Sequence, residues 1–368
     1  MNFTEFDTRM MARALQLARR GRYSAMPNPH VGCVLVRGDH VIGEGFTQPA
    51  GGNHAEIEAL QQAGDARGTT AYVTLEPCSH HGKTGPCAEA LVNAGVVRVV
   101  AAMEDPNPQV SGRGLARLRD AGIEVACGLL QGEAEQVIPG FVARMRRGRG
   151  RVRAKLAMSL DGRTAMASGE SQWITGPSAR RDVQRLRAMS CAVVTGVGTV
   201  LADDCALTVR ERELDMPQED AARAAARQPL RVVLDTRWQT PRGARILGPE
   251  APTLICHGND VAPEGGAVDS LALPSAGGGL DLHALFAELN RRQCNEILVE
   301  SGPRLVGGLL QAGLLDELIV YVAPCLLGSD ARPLLQLPLD TMAEKVELAF
   351  TDVRRVGADW RFTAVPRY

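Results

Sequence analysis

The sequence predicts an α/β protein of two domains, and three observations support this fold class. With 368 residues, the chain is long enough for two domains that each bury a hydrophobic core. In the first half, short apolar strands alternate with segments of helical spacing, which is typical of a layered α/β/α domain. The second half alternates in the same way but ends in a hairpin, unlike a simple doubly wound sheet. We place the domains at residues 1–148 and 149–368, with the basic, glycine-rich run 146–151 as a solvent-exposed linker.

The first domain is predicted to begin with an amphipathic helix whose apolar positions include Met11, Leu15 and Ala18. Pro27 and Pro29 then require a non-helical loop. Five short apolar segments follow and are predicted to be strands. Most of them are separated by stretches in which apolar residues recur three and four positions apart, as in a helix. The strands are expected at 31–36, 40–46, 71–75, 96–103 and 124–130, and the helices at 54–63, 86–95, 114–121 and 133–147.

The second domain is predicted to contain six apolar strands, helices between them and a terminal hairpin. Pro177 suits the first turn of a basic helix, and Asp281 suits the cap of a helix that ends near Arg292. Residues 211–228 are expected to form an exposed excursion or a short helix, and the glycine-rich residues 262–279 a flexible loop. The strands are expected at 152–160, 192–195, 230–234, 253–256, 296–300 and 318–323, and the hairpin strands at 346–355 and 360–365.

The first domain contains the ligand types of a catalytic zinc site, in which three protein ligands leave a fourth position open: His54, Cys78 and Cys87. Glu56 follows the histidine by two residues. This H-x-E pattern with a later Pro-Cys is typical of zinc deaminases, whose glutamate moves protons and binds no metal. The alternative is a structural zinc site. It would need a fourth protein ligand, for which the histidines at 80 and 81 are candidates, and it would leave Glu56 without a role.

The second domain contains two glycine-rich turns, each after a predicted strand. The turn 196–199 has a Gly-x-Gly pattern without the third glycine of the dinucleotide-binding motif, so alone it is a weak signal. The turn 301–308 leads into a helix, whose first N–H groups are suited to a phosphate. Tight packing of that helix is the alternative explanation of the glycines. On the basic helix after Pro177, most arginines suit a solvated face, and Arg187 is our candidate for a phosphate contact.

Composition restricts the classes of partner. A net charge of −1 and an aromatic content of 4% provide neither the basic field nor the stacking surface of a nucleic-acid-binding protein. No apolar run approaches the length of a membrane span. Nine cysteines without the spacing of a disulfide framework favour a reducing compartment. We therefore expect a cytoplasmic protein that binds neither nucleic acid nor membrane.

The loop between the two cysteines resembles that of a known family. Eight polar residues, Ser-His-His-Gly-Lys-Thr-Gly-Pro, separate Cys78 from Cys87, whereas nucleoside deaminases of this class commonly have two. Together with Pro-Asn-Pro at 27–29 and Asp-Pro-Asn-Pro at 105–108, this insert resembles the deaminase domain of the bifunctional riboflavin-biosynthesis deaminase/reductases. In that family these loops hold a pyrimidine that carries a ribose phosphate.

This resemblance implies a cytidine-deaminase-like fold with one zinc ion on His54, Cys78 and Cys87 and with Glu56 as the proton shuttle. It also implies substrate contacts from the three loops, namely Asn28, His80, Lys83, Asp105 and Asn107. One departure is Thr47, where members of the family commonly have a histidine. Any substrate contact that the family makes through that histidine must be weaker here or made by another residue.

The second domain resembles the reductase domain of the same enzymes, which has a dihydrofolate-reductase-like fold and uses NADPH. The similar segments are Ala-Lys-Leu-Ala-Met-Ser-Leu-Asp-Gly at 154–162, Ser-Gln-Trp-Ile-Thr at 171–175, Leu-Ala-Asp-Asp at 201–204, Glu-Ser-Gly-Pro at 300–303 and Leu-Leu-Gly-Ser-Asp at 326–330. Two residues depart from common forms of the family, Cys205 in place of a proline and Cys325 in place of a lysine.

The reductase resemblance implies two sets of ligand contacts. The implied NADPH contacts are Ala157, Trp173, Thr199, Asp203, Thr236, Gly302, Pro303, Arg304, Leu305, Val306, Gly307 and Gly308. The implied substrate contacts are Ser171, Arg187, Leu207, Arg210 and Glu300. The arginines of the second set suit the ribose phosphate.

Together these resemblances imply two consecutive reactions on a phosphorylated pyrimidine, a zinc-dependent deamination and an NADPH-dependent reduction. The residues alone indicate only zinc-assisted deamination beside a nucleotide-binding domain. The main alternative is a nucleic-acid base deaminase with an appended binding domain, and a zinc-stabilised scaffold without catalytic activity is another. We also expect the chain to form a homo-oligomer, in the simplest case a dimer.

Overall fold

The computed structural model describes residues 3–79, 85–262 and 268–368. The chain divides into two compact units, Met1–Gly148 and Arg149–Tyr368. The first unit contains the helices α1 (Glu5–Arg20), α2 (Ala55–Ala63), α3 (Cys87–Asn93), α4 (Arg113–Asp120), α5 (Gln131–Val137) and α6 (Pro139–Arg147). Its strands are β1 (Gly32–Arg37), β2 (His40–Phe46), β3 (Thr70–Val73), β4 (Arg98–Ala101) and β5 (Glu124–Cys127).

The five strands of the first unit form one sheet in the order β2-β1-β3-β4-β5. Strand β1 is antiparallel to both β2 and β3, whereas β3, β4 and β5 are parallel. The start of β1 therefore lies at the same edge of the sheet as the ends of β3 and β4. The loops that contain Asn28, Cys78 and Asp105 adjoin these strand ends, so the topology brings three of the predicted site loops to one edge.

Helices cover both faces of this sheet, because glycines allow them to approach the strands closely. A Cβ atom on Gly32 would lie 1.9 Å from the carbonyl oxygen of Ala14 in α1. A Cβ atom on Gly45 would lie 2.2 Å from the carbonyl oxygen of Ala55 in α2. Gly45 pairs with Cys33, the residue after Gly32, so the two helices pack on opposite faces. The layered α/β/α arrangement follows from this packing.

A buried carboxylate joins α1 to the sheet. Asp7 is 2% exposed and accepts hydrogen bonds from the Tyr72 hydroxyl at 2.7 Å and from Arg98 Nη1 at 2.6 Å. It also completes a capping box with Thr4 at the start of α1. The Arg98 guanidinium, the Thr4 backbone and the Tyr72 hydroxyl together hold the pKa of Asp7 well below its usual range, although burial opposes them. The carboxylate therefore favours folding in its charged form.

The substitution Asp7→Asn is expected to destabilise the first unit by about 2–3 kcal/mol at neutral pH, because a buried charged acceptor is lost. A carboxylate whose pKa is lowered in the folded state stabilises the protein above the unfolded pKa of about 3.9, and this contribution is lost as the pH falls further. Calorimetric melting of the full-length protein should therefore show a difference between wild type and variant that shrinks below about pH 4.

The matched control for this prediction is Asp39→Asn, which removes a carboxylate from an exposed position at the tip of the β1–β2 hairpin. Its melting temperature should match that of wild type at every pH. If the melting temperatures of wild type and Asp7→Asn differed by the same amount at pH 7 and at pH 3, the proposed role of the Asp7 charge would be contradicted.

The second unit contains more strands than the first. Four of them, in two pairs, have only two or three residues each. Its helices are α7 (Pro177–Ala188), α8 (Val197–Asp203), α9 (Gln218–Ala226), α10 (Leu282–Arg291) and α11 (Pro303–Gln311). Its strands are β6 (Arg151–Ser159), β7 (Arg163–Ala165), β8 (Ala192–Gly196), β9 (Leu230–Leu234), β10 (Thr253–Gly258), β11 (Asp269–Leu273), β12 (Ser275–Ala276), β13 (Gly279–Leu280), β14 (Glu296–Glu300), β15 (Glu317–Ala323), β16 (Arg332–Pro333), β17 (Glu347–Val356) and β18 (Asp359–Arg367).

Nine of these strands form a sheet in the order β11-β10-β9-β8-β14-β6-β15-β18-β17. The seven strands from β11 to β15 in this order are parallel, and β18 is antiparallel to both of its neighbours, β15 and β17. Val193 and Leu298 pack with α7 on one face, whereas Val194 and Val299 pack with α10 and α11 on the other. The carboxyl ends of β6, β8, β9 and β14 therefore meet at one edge, where ligands bind in open parallel sheets.

Several elements differ from the expectations. The helix predicted over 133–147 is two helices, α5 and α6, because Pro139 begins a new helix rather than continuing the first. The glycine-rich segment 262–279, expected as a loop, contains the parallel strand β11. Residues 211–228 contain the short helix α9, which agrees with one of the two alternatives.

The basic run at 146–151 is solvated only in its first half, where Arg146, Arg147 and Gly148 are exposed. Arg149 Nη2 lies 3.1 Å from Asp316 Oδ1 with both side chains largely buried, and Arg151 forms an ion pair with Glu317. Arg146 pairs with Glu135 within the first unit. Arg149 and Arg151 have acidic partners far along the chain, which spacing alone does not reveal. No helix in the described part of the chain is long and apolar enough to cross a membrane.

Candidate functional site

The three predicted metal ligands converge at the edge of the first sheet. His54 is the N-cap residue of α2, Cys87 is the first residue of α3, and Cys78 lies in the loop after β3. The distance from His54 Nδ1 is 3.3 Å to Cys87 Sγ and 3.7 Å to Cys78 Sγ. All three ligand atoms lie within 4.8 Å of one another. The fold therefore assembles one nitrogen and two sulfur atoms around a common point.

This geometry fits a zinc ion. Tetrahedral zinc with Zn–S near 2.3 Å and Zn–N near 2.0 Å places its nitrogen and sulfur ligands about 3.5 Å apart. The observed distances of 3.3 and 3.7 Å lie on either side of that value. Within the described residues the cluster has three members, as in a catalytic site. The histidines at 80 and 81, the alternative fourth ligands, lie outside the described residues.

The two thiols differ in their acidity. Hydrogen bonding from the Cys87 thiol, together with His54, lowers the pKa of Cys78 although burial opposes it. The backbone N–H of Cys87 also donates to Cys78 Sγ at 3.3 Å. Donation to this thiolate, together with burial, raises the pKa of Cys87. The protein alone thus stabilises one thiolate here, and a bound dication favours the second.

Glu56, the predicted proton shuttle, lies in the first turn of α2 beside the cluster. Its side chain is 3% exposed, and the charges of Cys78 and His54 are near enough to shift its pKa. Burial, followed by the charge of Cys78, raises the pKa of Glu56 to about 7. A carboxyl with a raised pKa can both accept and release a proton near neutral pH.

The predicted substrate residues of the first unit lie partly in loops at the same sheet edge. Asp105 is buried, and its Oδ1 accepts the backbone N–H of Asn107 at 2.8 Å, so it shapes its own loop. Asn107 similarly accepts the N–H of Gln109 at 3.1 Å. Asn28 lies in the loop before β1, and His80 and Lys83 lie outside the described residues.

Thr47, the departure from the family pattern, has a structural task at this edge. It is buried, and its hydroxyl oxygen accepts the N–H of Val31 at 3.0 Å while its own N–H donates to the Val31 carbonyl. These bonds continue the β1–β2 pairing by one residue. Thr47 therefore contributes to the start of β1 rather than presenting a free polar group.

In the second unit, the predicted cofactor residues follow the carboxyl ends of four neighbouring parallel strands. Ala157 lies near the end of β6, Thr199 and Asp203 lie in α8 after β8, and Thr236 follows β9. The remaining residues form the first turns of α11 after β14, namely Gly302, Pro303, Arg304, Leu305, Val306, Gly307 and Gly308. The topology thus brings residues separated by more than a hundred positions to one edge.

The glycines of the α11 turn have different roles. Gly302 is exposed and is the N-cap of α11, and a Cβ atom added to it would meet no other atom within 4 Å, so the space beside it is open. A Cβ atom on Gly307 would lie 2.0 Å from the carbonyl oxygen of Gln336. Close backbone packing therefore explains Gly307, whereas an open helix N-terminus at Gly302 suits a phosphate.

The loop before α7 carries two further predicted residues. The Ser171 hydroxyl donates to Asp203 Oδ1 at 3.3 Å, which links this loop to α8. Trp173 is 69% exposed, and the Arg180 guanidinium lies 4.6 Å from its ring centroid. An aromatic side chain this exposed is available to a ligand at the carboxyl edge.

The predicted substrate residues Arg187 and Glu300 form a buried ion pair. Arg187 Nη2 lies 3.0 Å from Glu300 Oε2, and Nε contacts the other carboxylate oxygen at 2.5 Å. Arg187 Nη1 donates to the carbonyl oxygen of Thr208 at 3.1 Å. All three guanidinium nitrogens thus have protein acceptors. Burial alone raises the pKa of Glu300, but the charges of Arg187 and Lys155 outweigh it and hold that pKa below its ordinary value.

The other two predicted substrate residues differ in exposure. Leu207 is buried and has a positive φ of 50°. Arg210 is exposed and pairs with Glu213 at 2.8 Å, while its backbone N–H donates to Gln184 Oε1 at 2.9 Å. Of the two predicted arginines, Arg210 is the one whose charge faces solvent.

Comparisons with known proteins identify the family. The model of the RibD C-terminal domain matches residues 151–362, and that of the cytidine and deoxycytidylate deaminase zinc-binding region matches residues 4–103. The riboflavin biosynthesis protein RibD of Escherichia coli K12 is 54% identical over 364 residues, 96% of this chain and 97% of that protein. The chain belongs to the RibD family of bifunctional riboflavin-biosynthesis deaminase/reductases.

Solved structures of RibD proteins agree with this assignment. Acinetobacter baumannii RibD, form 1, matches with a TM-score of 0.90 and 45% identity over 99% of each chain. A deaminase/reductase of Thermotoga maritima matches with a TM-score of 0.86 and 31% identity, covering 98% of this chain and 99% of that one. These findings confirm the predicted resemblance, the fold class of a cytidine-deaminase-like domain followed by a dihydrofolate-reductase-like domain, and the bifunctional enzyme.

Two buried groups beside the RibD sites were missed from the sequence. Lys155 pairs in register with Glu300 across β6 and β14, and its Nζ lies 3.8 Å from Glu300 Oε2. The sequence signal was a lysine in a mainly apolar segment that also contains Arg153. Glu76 is 3% exposed and lies two residues before Cys78. Its only sequence signal is a carboxylate next to the proline–cysteine pair.

Proposed function

We propose that this RibD protein catalyses two consecutive steps of riboflavin biosynthesis. The first unit hydrolytically removes the 2-amino group of 2,5-diamino-6-ribosylamino-4(3H)-pyrimidinone 5′-phosphate, with one zinc ion. The second unit then reduces the ribosyl side chain to ribityl with NADPH. The observation that carries the proposal is the convergence of Glu56 with His54, Cys78 and Cys87 at one sheet edge, in a chain that also carries the reductase domain.

In the deamination, His54, Cys78 and Cys87 would hold the zinc ion, and Glu56 would transfer the protons. Zinc, when bound, would supply a water molecule acidic enough to attack the ring near neutral pH. Glu56 is placed to accept a proton from the attacking water and to deliver one to the departing amino group, which leaves as ammonia. Its buried carboxyl, with a pKa raised to about 7, suits both transfers.

The pyrimidine substrate would contact the loops at the zinc edge of the first sheet. Asn28, Asp105 and Asn107 lie in two of these loops, which adjoin the start of β1 and the end of β4. His80 and Lys83 belong to the proposed contacts as residues of the insert between the cysteines. The polar character of these side chains suits a ring with several amino and carbonyl groups.

In the reduction, NADPH would lie along the carboxyl edge of the second sheet and supply the hydride. Its contacts would be the residues that follow β6, β8, β9 and β14, together with Trp173. The open N-terminus of α11 at Gly302 suits a phosphate of the cofactor. The substrate would contact Ser171, Arg187, Leu207, Arg210 and Glu300, and the solvent-facing charge of Arg210 suits its phosphate.

The test uses the full-length protein and the diaminopyrimidine ribosyl phosphate, with and without NADPH, before and after treatment with a chelator. Ammonia release is expected without NADPH, and NADPH oxidation is expected to follow it. Chelation should abolish ammonia release but spare NADPH oxidation when the deaminated intermediate is supplied. Ammonia release by metal-stripped protein would rule out the zinc mechanism.

The same preparation separates the alternatives. A nucleic-acid base deaminase would release ammonia from an oligonucleotide and not from the ribosyl phosphate. A scaffold without catalytic activity would release none from either substrate while retaining its zinc. Neither alternative has support from an observed feature of the described residues.

Arg237 is expected to select NADPH over NADH. Arg237 is exposed and directly follows Thr236, just after β9. Among the described residues, its side chain forms no ion pair and no hydrogen bond. A guanidinium there suits the 2′-phosphate that distinguishes the two cofactors. Arg237→Ala should raise the KM for NADPH about tenfold, the loss of one charged hydrogen bond, without changing kcat or the KM for NADH.

The control for the cofactor prediction is Arg223→Ala, which removes an arginine that pairs with Glu219 on the surface of α9. Steady-state kinetics with both cofactors should match wild type for this variant. Equal increases in the KM values for NADPH and NADH in Arg237→Ala would assign the residue to general cofactor binding and refute the selectivity.

We also propose that the protein forms a homodimer through one face of the β17–β18 hairpin. Residues opposite one another in this antiparallel pair share a face, and one face carries Phe350, Val353, Trp360 and Phe362. The exposed fractions of the first three are 63%, 47% and 49%. Strand β17 is also an edge strand. An apolar patch on a symmetric dimer meets its own copy, which would cover these side chains.

Phe350→Asp is expected to convert the dimer to a monomer, because it would place a charge in an apolar contact. Sedimentation of the full-length protein across a concentration series measures this change. Val97→Asp is the control, since Val97 is 54% exposed but lies in the first unit. A wild-type monomer at all concentrations, or a Phe350→Asp dimer of unchanged affinity, would refute the proposed interface.

We place both reactions in the cytoplasm. All nine cysteines are free thiols in the structure, including the two proposed zinc ligands. Free thiols of this number suit a reducing compartment.

A further inference from the structure

Glu76 is a buried carboxylate that the proposed reaction does not use directly. Its Oε2 accepts the backbone N–H groups of Asp105 at 3.0 Å and Gly112 at 2.9 Å. Its Oε1 accepts those of Gly114 at 2.8 Å and Leu115 at 3.2 Å. Four backbone donors from one distant segment therefore converge on a side chain that is 3% exposed.

These bonds replace the side-chain cap that the N-cap residue of α4 cannot provide. The N-cap residue of α4 is Gly112, which has no side chain to accept the free N–H groups of the first turn. Glu76 accepts them instead from another part of the chain. A negative charge at a helix N-terminus is also favoured by the helix dipole. The carboxylate thus determines where α4 begins and how the loop before it runs.

A glycine permits this contact. A Cβ atom on Gly114 would lie 1.9 Å from the carbonyl oxygen of Pro77 and 3.1 Å from Glu76 Oε1. The first turn of α4 therefore lies directly against the backbone that leads to Cys78. Any larger residue at this position would push the helix away from the Glu76–Pro77 segment.

The contact connects the two functional segments of the first sheet edge. Glu76 and Pro77 immediately precede Cys78, a ligand in the metal cluster. The segment that Glu76 holds begins at Asp105 and includes Asn107, the proposed substrate residues. The two segments follow the paired strands β3 and β4, and the Glu76 carboxylate adds a side-chain link beyond the backbone bond from the Glu76 N–H to the Met103 carbonyl oxygen.

We propose that Glu76 is a positioning residue that holds the substrate loop in register with the metal site. This inference rests on the proposed deaminase function. Glu76 touches neither the metal ligands nor the substrate in this role; it acts through the backbone of residues 105–115. Losing its acceptors displaces Asp105 and Asn107 while the metal ligands stay in place, because His54 and Cys87 lie at the starts of α2 and α3 and Cys78 accepts the N–H groups of Cys87 and Ala88.

The principal test is Glu76→Gln in the full-length protein. The amide keeps one acceptor oxygen but turns an N–H₂ group towards two of the four backbone donors. The KM for the diaminopyrimidine phosphate is expected to rise about tenfold, with kcat changed less than about threefold. Zinc content should stay at one per chain, and reductase activity on the deaminated intermediate should be unchanged.

Gly114→Ala provides a second, independent variant. It leaves the carboxylate intact but moves α4 away from Pro77, so it is expected to give the same rise in KM. Hydrogen exchange of a peptide covering residues 104–116 should be faster in both variants. The matched control is Glu104→Gln, which removes an exposed carboxylate that accepts a hydrogen bond from the Ser111 hydroxyl in the same segment. This control should match wild type in KM and in exchange.

The outcomes are distinct. Wild-type protein that holds zinc and releases no ammonia would overturn the proposed function before the variants are compared. An active wild type with an unchanged KM in Glu76→Gln would overturn the positioning role. A loss of zinc with a parallel fall in kcat at constant KM would also overturn it, because Glu76 would then support the metal ligands alone.

Discussion

Glu56→Gln is expected to lower the rate of deamination on the order of a thousandfold while zinc remains bound. Glutamine has nearly the shape of glutamate but can neither accept nor release a proton. Glu56 is no member of the ligand cluster, which consists of His54, Cys78 and Cys87 among the described residues. Ammonia release from the diaminopyrimidine phosphate and zinc content by atomic absorption measure the two properties in one preparation.

The bifunctional chain supplies the internal control for this experiment. NADPH oxidation with the deaminated intermediate should be unchanged, because Glu56 lies in the first unit. Cys87→Ser provides the contrast, since it should lose zinc and deamination together. A Glu56→Gln variant that deaminates at the wild-type rate would remove the proton-shuttle role.

Arg187→Ala is expected to abolish reduction and to destabilise the second unit by about 3–5 kcal/mol, because it leaves the buried Glu300 carboxylate without its bidentate partner. The Arg187 and Glu300 side chains are 14% and 8% exposed, so water can replace little of the interaction that Glu300 loses. Arg187→Lys should restore little, since an ammonium group cannot form two parallel bonds to a carboxylate. NADPH oxidation and calorimetric melting of the full-length protein measure the two effects.

A double variant separates stability from activity at this pair. Arg187→Met with Glu300→Gln removes both charges of the pair but leaves Lys155 without its carboxylate partner, so it should recover part of the melting temperature and none of the reductase activity. Arg181→Ala, on the same helix and bonded to Ser178, is the control for a lost surface arginine. Full reductase activity in the double variant would show that the charges serve folding alone.

The metal centre was predictable from local patterns, because its ligand residues lie in short motifs that also mark the starts of helices. His54 and Glu56 are two residues apart at the start of one helix, and Cys87 begins another. Each motif therefore indicated both which ligand it supplies and where in the fold that ligand lies. The predicted convergence of the three ligands agrees with the observed distances, whereas the roles of the individual residues stay predictions.

The groups that escaped prediction have partners far along the chain. Glu76 is bonded to the segment 105–115, and Lys155 meets Glu300 only because β6 and β14 are neighbours in the sheet. Spacing along the sequence contains no information about such pairs. The same cause explains why the second half of the basic run is not solvated, since Arg149 and Arg151 pair with Asp316 and Glu317. By contrast, the break at Pro139 could have been recognised from proline's preference for a first helical turn.

The strand order has a consequence for how the chain is made. The five strands and three metal ligands of the first unit are all synthesised before residue 149, so this unit can fold while the rest is still on the ribosome. In the second sheet, β14 lies between β8 and β6 although it follows β9 to β13 along the chain. The centre of that sheet must therefore wait until residue 300 has left the ribosome. The deaminase half is thus expected to be complete before the reductase half can begin to close.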